Sequence, residues 1–139
     1  MGKYPIMILR LEHIGIAVKD LDASNELFAK LLGKAHYKIE EVVLENVKTA
    51  FFQTGETKLE LLEATSPGSP IAKYVANRGE GLHHLAFEVD DIYAERQRLI
   101  DEGFHCLTPE PKRGADNKLV CFFHPKSTNG VLIELCQSI

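Results

Sequence analysis

Two histidines and two glutamates stand at matching places in this chain, and together they are the residues best suited to chemistry. His13 opens the run HIGIAVKDLDA and His84 opens HLAFEVDDIYA. Aligned without gaps, the runs pair His13 with His84, Val18 with Val89, Asp20 with Asp91 and Ala23 with Ala94, every pair offset by 71. Glu60 in KLELL follows the first histidine by 47 residues, and Glu134 in LIELC follows the second by 50. A glutamate between leucines in a strand loses its hydration on folding, and a buried carboxylate without a partner is costly enough to neutralise itself. Something positive belongs beside it. A divalent cation held by two imidazoles and two carboxylates meets that demand and leaves positions open for water or substrate oxygens. Taken singly each residue is weak evidence, because a lone strand histidine is more often a hydrogen-bonded structural residue. The repeat makes any such account explain the same coincidence twice.

The elements that must position these groups read as two copies of one plan. In the first, a strand through His13 to Val18 leads to an amphipathic helix from Leu21 to Leu32, stopped by Gly33. Leu21, Leu27, Phe28, Leu31 and Leu32 form its expected apolar face. YKIEEVV, VKTAFFQT and TKLELLEA follow as strands, the last two joined by a hairpin at Gly55-Glu56. In the second copy LHHLAFEV is a strand, Ile92 to Glu102 a helix and Gly103 its stop. A short strand near His105-Cys106-Leu107 and strands at LVCFFH and GVLIELCQ complete it. The expected organisation is one domain over 1–139, with a first βαβββ module at 8–64, a connector at 65–80 and a second βαβββ module at 81–139. The connector carries a short helix from Pro70, proline being tolerated in a first helical turn.

Strand alternation assigns the faces. Ile14, Ile16 and Val18 share one side and His13, Gly15 and Ala17 the other; Leu85, Phe87 and Val89 oppose His84, Ala86 and Glu88. The bulky side belongs under a helix. The histidine side carries small residues, which leave space beside the imidazoles. Glu60 shares a face with Leu62, and Glu134 shares one with Leu132 and Cys136.

A chain of 139 residues with 45% hydrophobic content builds a core without disulfides. No apolar run reaches the roughly 18 residues of a membrane span, and the N-terminal stretch KYPIMILRL lacks a cleavage pattern, so a cytoplasmic protein with no membrane partner is expected. The three cysteines, Cys106, Cys121 and Cys136, read as reduced, mostly buried thiols. A net charge of −4 argues against nucleic acid as a partner. Between Pro111 and Ser127, however, Lys112, Arg113, Lys118 and Lys126 face a single acid, Asp116, and the segment suits phosphates. Of the other histidines, His83 is read as structural, His36 and His105 as exposed, and His124, before Pro125 at a strand end, as either a turn residue or a ligand contact. Glu40, Glu41, Glu45 and Glu63 are read as surface acids.

The runs SPIAKYVANRGEG, GEGLHHLAFEVDDI and FFHPKSTNGVLIELCQ resemble the methylmalonyl-CoA epimerase family of the vicinal oxygen chelate superfamily, which also contains glyoxalase I. The resemblance extends from Leu11 to Gln137. It implies an α+β fold of two tandem βαβββ modules whose mixed sheet is cupped and partly closed around a metal site, and a homodimer. The family's ligands fall on His13, Glu60, His84 and Glu134, with one divalent ion per chain: cobalt first, then nickel, manganese or zinc. It implies interconversion of (2R)- and (2S)-methylmalonyl-CoA, a step of propionate metabolism, by 1,1-proton transfer through a metal-stabilised enediolate. Glu134 takes one acid/base role. The second is unassigned: some epimerases carry a glutamate where this chain has Thr49, and a different residue, a water or the loop bearing Glu45 must serve instead. Gly114-Ala115-Asp116-Asn117 replaces a more glycine-rich turn. Lys126, Lys118, Arg113 and Lys112 are candidates for the phosphates of the coenzyme A thioester.

The same ligand set also permits glyoxalase I chemistry on a glutathione hemithioacetal, and the scaffold permits a ligand-binding protein without turnover. An extradiol dioxygenase would leave Glu60 unexplained, since its facial triad needs only two histidines and one carboxylate.

Overall fold

The computed structural model describes residues 8–139; residues 1–7, on which part of the reading of KYPIMILRL rests, lie outside it. The elements run β1 (Ile8–Ala17), α1 (Leu21–Leu32), β2 (Lys38–Val42), β3 (Val47–Thr54), β4 (Thr57–Ala64), α2 (Pro70–Arg78), β5 (Gly81–Val89), α3 (Ile92–Asp101), β6 (Lys112–Arg113), β7 (Lys118–Phe123) and β8 (Ile133–Ser138). Short 3-10 turns occupy Val43–Glu45, Ala115–Asn117 and Pro125–Thr128. This is a mixed α+β fold in which the order strand, helix, three strands occurs twice.

The chain forms two compact units, one spanning His13–His83 and the other His84–Ile139 together with the segment ending at Glu12. In the first, β1 and β4 run parallel with Gly15 beside Glu60, while β3 and then β2 add on antiparallel. In the second, β5 and β8 run parallel with Ala86 beside Glu134, and β7 and β6 follow antiparallel. The helix after the first strand of each unit supplies the crossover that a parallel pairing needs.

Each helix covers the bulky side of its own sheet. Val18, Leu21, Ala50, Phe52 and Leu61 are buried under α1 with Ile16, Phe28 and Leu32 against them. Val89, Ile92, Cys121, Phe123 and Leu135 are buried under α3 with Phe87 and Leu99. On the opposite side of the first sheet, Ile71 of α2 packs with Ala17, Val47 and Leu62. The expected face of α1 needs correction: Leu27 is 62% and Leu31 72% exposed. With about 3.6 residues per turn the inward stripe runs instead through Leu21, Asn25, Phe28, Ala29 and Leu32.

One expected strand also differs. Near His105-Cys106-Leu107 there is a single bridge, Cys106 to Phe123, and the third strand of the second unit is β6. The Thr108 hydroxyl accepts the Phe122 N–H at 3.0 Å in place of a ladder carbonyl, and Pro109 and Pro111 follow, so pairing cannot propagate. The turn before β7 shows how Asp116 and Asn117 stand in for glycine. Both are left-handed, with φ of 60° and 55°, a region that Asp and Asn enter more readily than other side chains.

Candidate metal and active site

The geometry of each half-site follows from strand register. In the first unit Glu60 lies beside Gly15, two residues beyond His13 on the same face, and the His13 Nδ1 is 3.1 Å from the Glu60 Oε2. In the second unit Glu134 lies beside Ala86, two residues beyond His84, and the His84 Nε2 is 3.0 Å from the Glu134 Oε1. The repeat read in the sequence is thus a repeat of register. His13, Glu60, His84 and Glu134 are between 4% and 7% exposed, so water does little to solvate either carboxylate. Within each pair the ligand atoms are close enough to share one ion. Nitrogen and carboxylate oxygen, buried and already in contact, are a donor set suited to a divalent transition metal.

The same pattern extends one strand further. Phe51 stands directly opposite Glu60 on β3, and Phe122 directly opposite Glu134 on β7. The Phe122 ring meets His84 edge-on, with centroids 6.0 Å apart and planes at 82°. A phenylalanine beside each glutamate excludes water from one flank of the carboxylate. The helices are tied in by the same symmetry. The Asp20 and Asp91 carboxylates cap α1 and α3 by accepting the Ala23 and Ala94 N–H, each at 3.1 Å. Glu63 accepts the Leu21 N–H at 3.2 Å, and Gln137 accepts the Ile92 N–H at 2.7 Å. Sequence reading took Glu63 for a surface acid. The signal that identifies it is its position three residues after Glu60, matched by Gln137 three residues after Glu134.

The remaining expected residues are placed as follows. His83 packs edge-on against Tyr74 at 4.9 Å, which is a structural contact. His36 is half-buried, not exposed, because its ring packs on Phe52 at 5.9 Å. The exposed His105 stacks on His124 at 5.5 Å, and the His124 Nδ1 accepts the Lys126 N–H, confirming a turn role for His124. Lys112, Arg113 and Lys126 are exposed; Lys118 is 8% exposed and its amine donates to the Ser138 Oγ at 3.0 Å. That hydroxyl lies 3.3 Å from the Glu88 carboxylate, which also pairs with Arg10 at 2.6 Å. Lys118 is therefore held inside a polar chain.

Thr49 is 1% exposed and stands opposite Leu62 on the histidine face of the first sheet. Glu40 of β2 lies directly opposite Thr49 and so shares that face. Lys38, two residues earlier, places its Nζ 4.5 Å from the centre of the Phe51 ring and 3.6 Å from the Glu40 Oε1. Cys136, fully buried and on the Glu134 face, has its Sγ 3.6 Å from the Phe87 carbonyl. Burial, reinforced by the nearby Glu134 and Glu12 carboxylates, pushes its thiol well above the ordinary value. Burial likewise pushes the Cys121 thiol up to about 12.

The sequence model of the Glyoxalase/Bleomycin resistance protein/Dioxygenase superfamily matches residues 12–122. An ethylmalonyl-CoA/methylmalonyl-CoA epimerase of Cereibacter sphaeroides is 42% identical, with 94% of this chain and 99% of that protein aligned. The chain belongs to the methylmalonyl-CoA epimerase family of this superfamily. The mitochondrial methylmalonyl-CoA epimerase of Homo sapiens is 38% identical over 93% of this chain and 74% of its own length. Among solved structures, a methylmalonyl-CoA epimerase variant of Streptomyces coelicolor in complex with 2-nitronate-propionyl-CoA superposes with a TM-score of 0.90 at 36% identity. That match covers 94% of this chain and 98% of the other, so the epimerase fold is shared essentially end to end.

Proposed function

We propose that this chain interconverts (2R)- and (2S)-methylmalonyl-CoA by moving one proton at the carbon between thioester and carboxylate. The observation that carries the reading is the buried His–Glu pair found twice in identical register, in a chain whose relatives are epimerases. His13, Glu60, His84 and Glu134 would together hold one divalent ion, cobalt first, with nickel, manganese or zinc as alternatives. Such an ion supplies positive charge to the two carbonyl oxygens that flank the acidic carbon, which makes that carbon easier to deprotonate.

The chain's own residues do the rest. Glu134, as a loosely held ligand or after substrate displaces it, moves the proton at one face of the acidic carbon. Phe51 and Phe122 keep bulk water from the flank of each glutamate and so limit competing exchange. The exposed Lys112, Arg113 and Lys126 offer charge to the coenzyme A phosphates. Lys118, turned to Ser138, is the weakest of the four candidates. No atom is gained or lost, because the proton removed from one face is replaced on the other. The reading includes a homodimer in a cytoplasmic setting, which sedimentation and cell fractionation test.

Deuterium incorporation at the acidic carbon, followed with purified, metal-loaded protein and methylmalonyl-CoA in deuterated water, is the deciding measurement. Exchange together with inversion is expected. Fully metal-loaded protein that exchanges nothing would overturn the reading, and turnover of a glutathione hemithioacetal in its place would move the chain to glyoxalase chemistry.

A further inference from the structure

Inversion at carbon needs a proton-transfer group on each face of the planar carbanion, and on the reading above Glu134 supplies one. A second group is needed for the other face, and the inference below rests on that reading. Thr49, which occupies the position where some epimerases carry a glutamate, has a hydroxyl far too weakly acidic to serve as a carboxylate does. The register places another carboxylate on the same row. Glu40 of β2, Thr49 of β3 and Leu62 of β4 stand directly opposite one another, and residues so paired project from the same face of a sheet. That is the face carrying His13 and Glu60.

Neighbouring strands lie about 4.8 Å apart, so Glu40 starts one strand outside Thr49. Its side chain reaches past the γ atoms of a threonine by a carboxyl group, and Thr49 is a small neighbour. The inward lean is visible in its partner. Lys38 holds its ammonium over the Phe51 ring, opposite Glu60, and the Glu40 Oε1 is 3.6 Å from that ammonium. Both charged ends are thus drawn over the ligand face. The Lys38 and Glu40 side chains are 38% and 34% exposed, open enough for a substrate to reach. An ordinary surface ion pair adds little to stability and would need no such placement.

We propose that Glu40, paired with Lys38, is the second proton-transfer residue. Its carboxylate takes the proton from the acidic carbon of one epimer, the C–H electron pair passes into the flanking carbonyls, and a proton from the Glu134 side closes the opposite face. Glu40 then returns its proton to water, and the Glu134 side takes one back from water, so the proton count is restored. In the reverse direction it donates.

The test compares metal-loaded wild type, Glu40→Gln, Glu41→Gln and the double variant Glu40→Gln/Thr49→Glu on each separate epimer in deuterated water. Glu41 is the control, an exposed carboxylate next in sequence on the other face of β2. In Glu40→Gln, kcat for epimerisation should fall by about 100-fold or more, the usual scale for loss of a general base, while KM and metal content stay within about twofold. One epimer should still wash its proton out without inverting, and the other should do neither. Glu41→Gln should match wild type, and the double variant should recover about tenfold of the lost rate. Epimerisation by Glu40→Gln at the wild-type rate, equal loss of exchange from both epimers, or a rise in KM with kcat unchanged would overturn the assignment. A wild-type protein that exchanges neither epimer would instead overturn the proposed activity.

Discussion

His13 and His84 each sit two residues behind a small residue that pairs with a buried glutamate, and this local rule brings imidazole and carboxylate together. Removing one imidazole leaves a glutamate with its flank against a phenylalanine and its nitrogen partner gone. His84→Ala and His13→Ala should each weaken divalent-ion binding by at least about tenfold, the lower end for loss of a supporting group and a minimum for a ligand itself. Titration calorimetry with cobalt checks this, with circular dichroism to show that the fold persists. The two buried His–Glu pairs were legible in the sequence because duplication doubles a weak signal. Glu40 was not, since its meaning comes from which residue lies across the strand boundary, and no periodicity within KIEEV reveals that Thr49 is its neighbour.

At the scale of elements, the helix starts carry the repeat as faithfully as the ligands do. Asp20 and Asp91 cap α1 and α3 through the third residue on, and loss of such a cap typically costs about 1 kcal/mol. Asp91→Ala should lower stability by that amount, read as a shift of the denaturant midpoint without a change of slope. Gly33 stops α1 in a left-handed conformation, with φ of 76° and open space where a side chain would point, so Gly33→Ala should cost about 1 kcal/mol from backbone strain alone. Helix boundaries were read to within a residue because caps and glycine stops are local chemistry. The missing strand near Cys106 was misread because β-rich composition does not say whether a partner's N–H goes to a carbonyl or, as here, to the Thr108 hydroxyl.

For the whole molecule, anything that binds the folded state alone raises its stability by mass action. A divalent ion at about 100 times its dissociation constant adds about 2.7 kcal/mol, so melting temperature should rise with added cobalt and fall again with a chelator, in a concentration-dependent way. Alkali tests the core. Cys121 is fully buried and its thiol is raised from 9.0 to about 12, so folded and unfolded forms are both protonated below pH 9. Above that the unfolded chain ionises first. Stability should therefore decline from pH 9 toward pH 12 by about 1.4 kcal/mol per pH unit for this thiol, measurable by urea titration at stepped pH. Composition foretold a core and the cysteines read as mostly buried, as Cys121 and Cys136 are, while Cys106 is half-buried.

The sulfur of Cys136 lies on the same side of its strand as Glu134 yet stays protonated and turned to a backbone carbonyl. A thiophilic ion such as cadmium or copper(I) gains its advantage from thiolate, and here that anchor is withheld. An ion held by the proposed donors would therefore meet imidazole and carboxylate, with this sulfur already engaged by the Phe87 carbonyl.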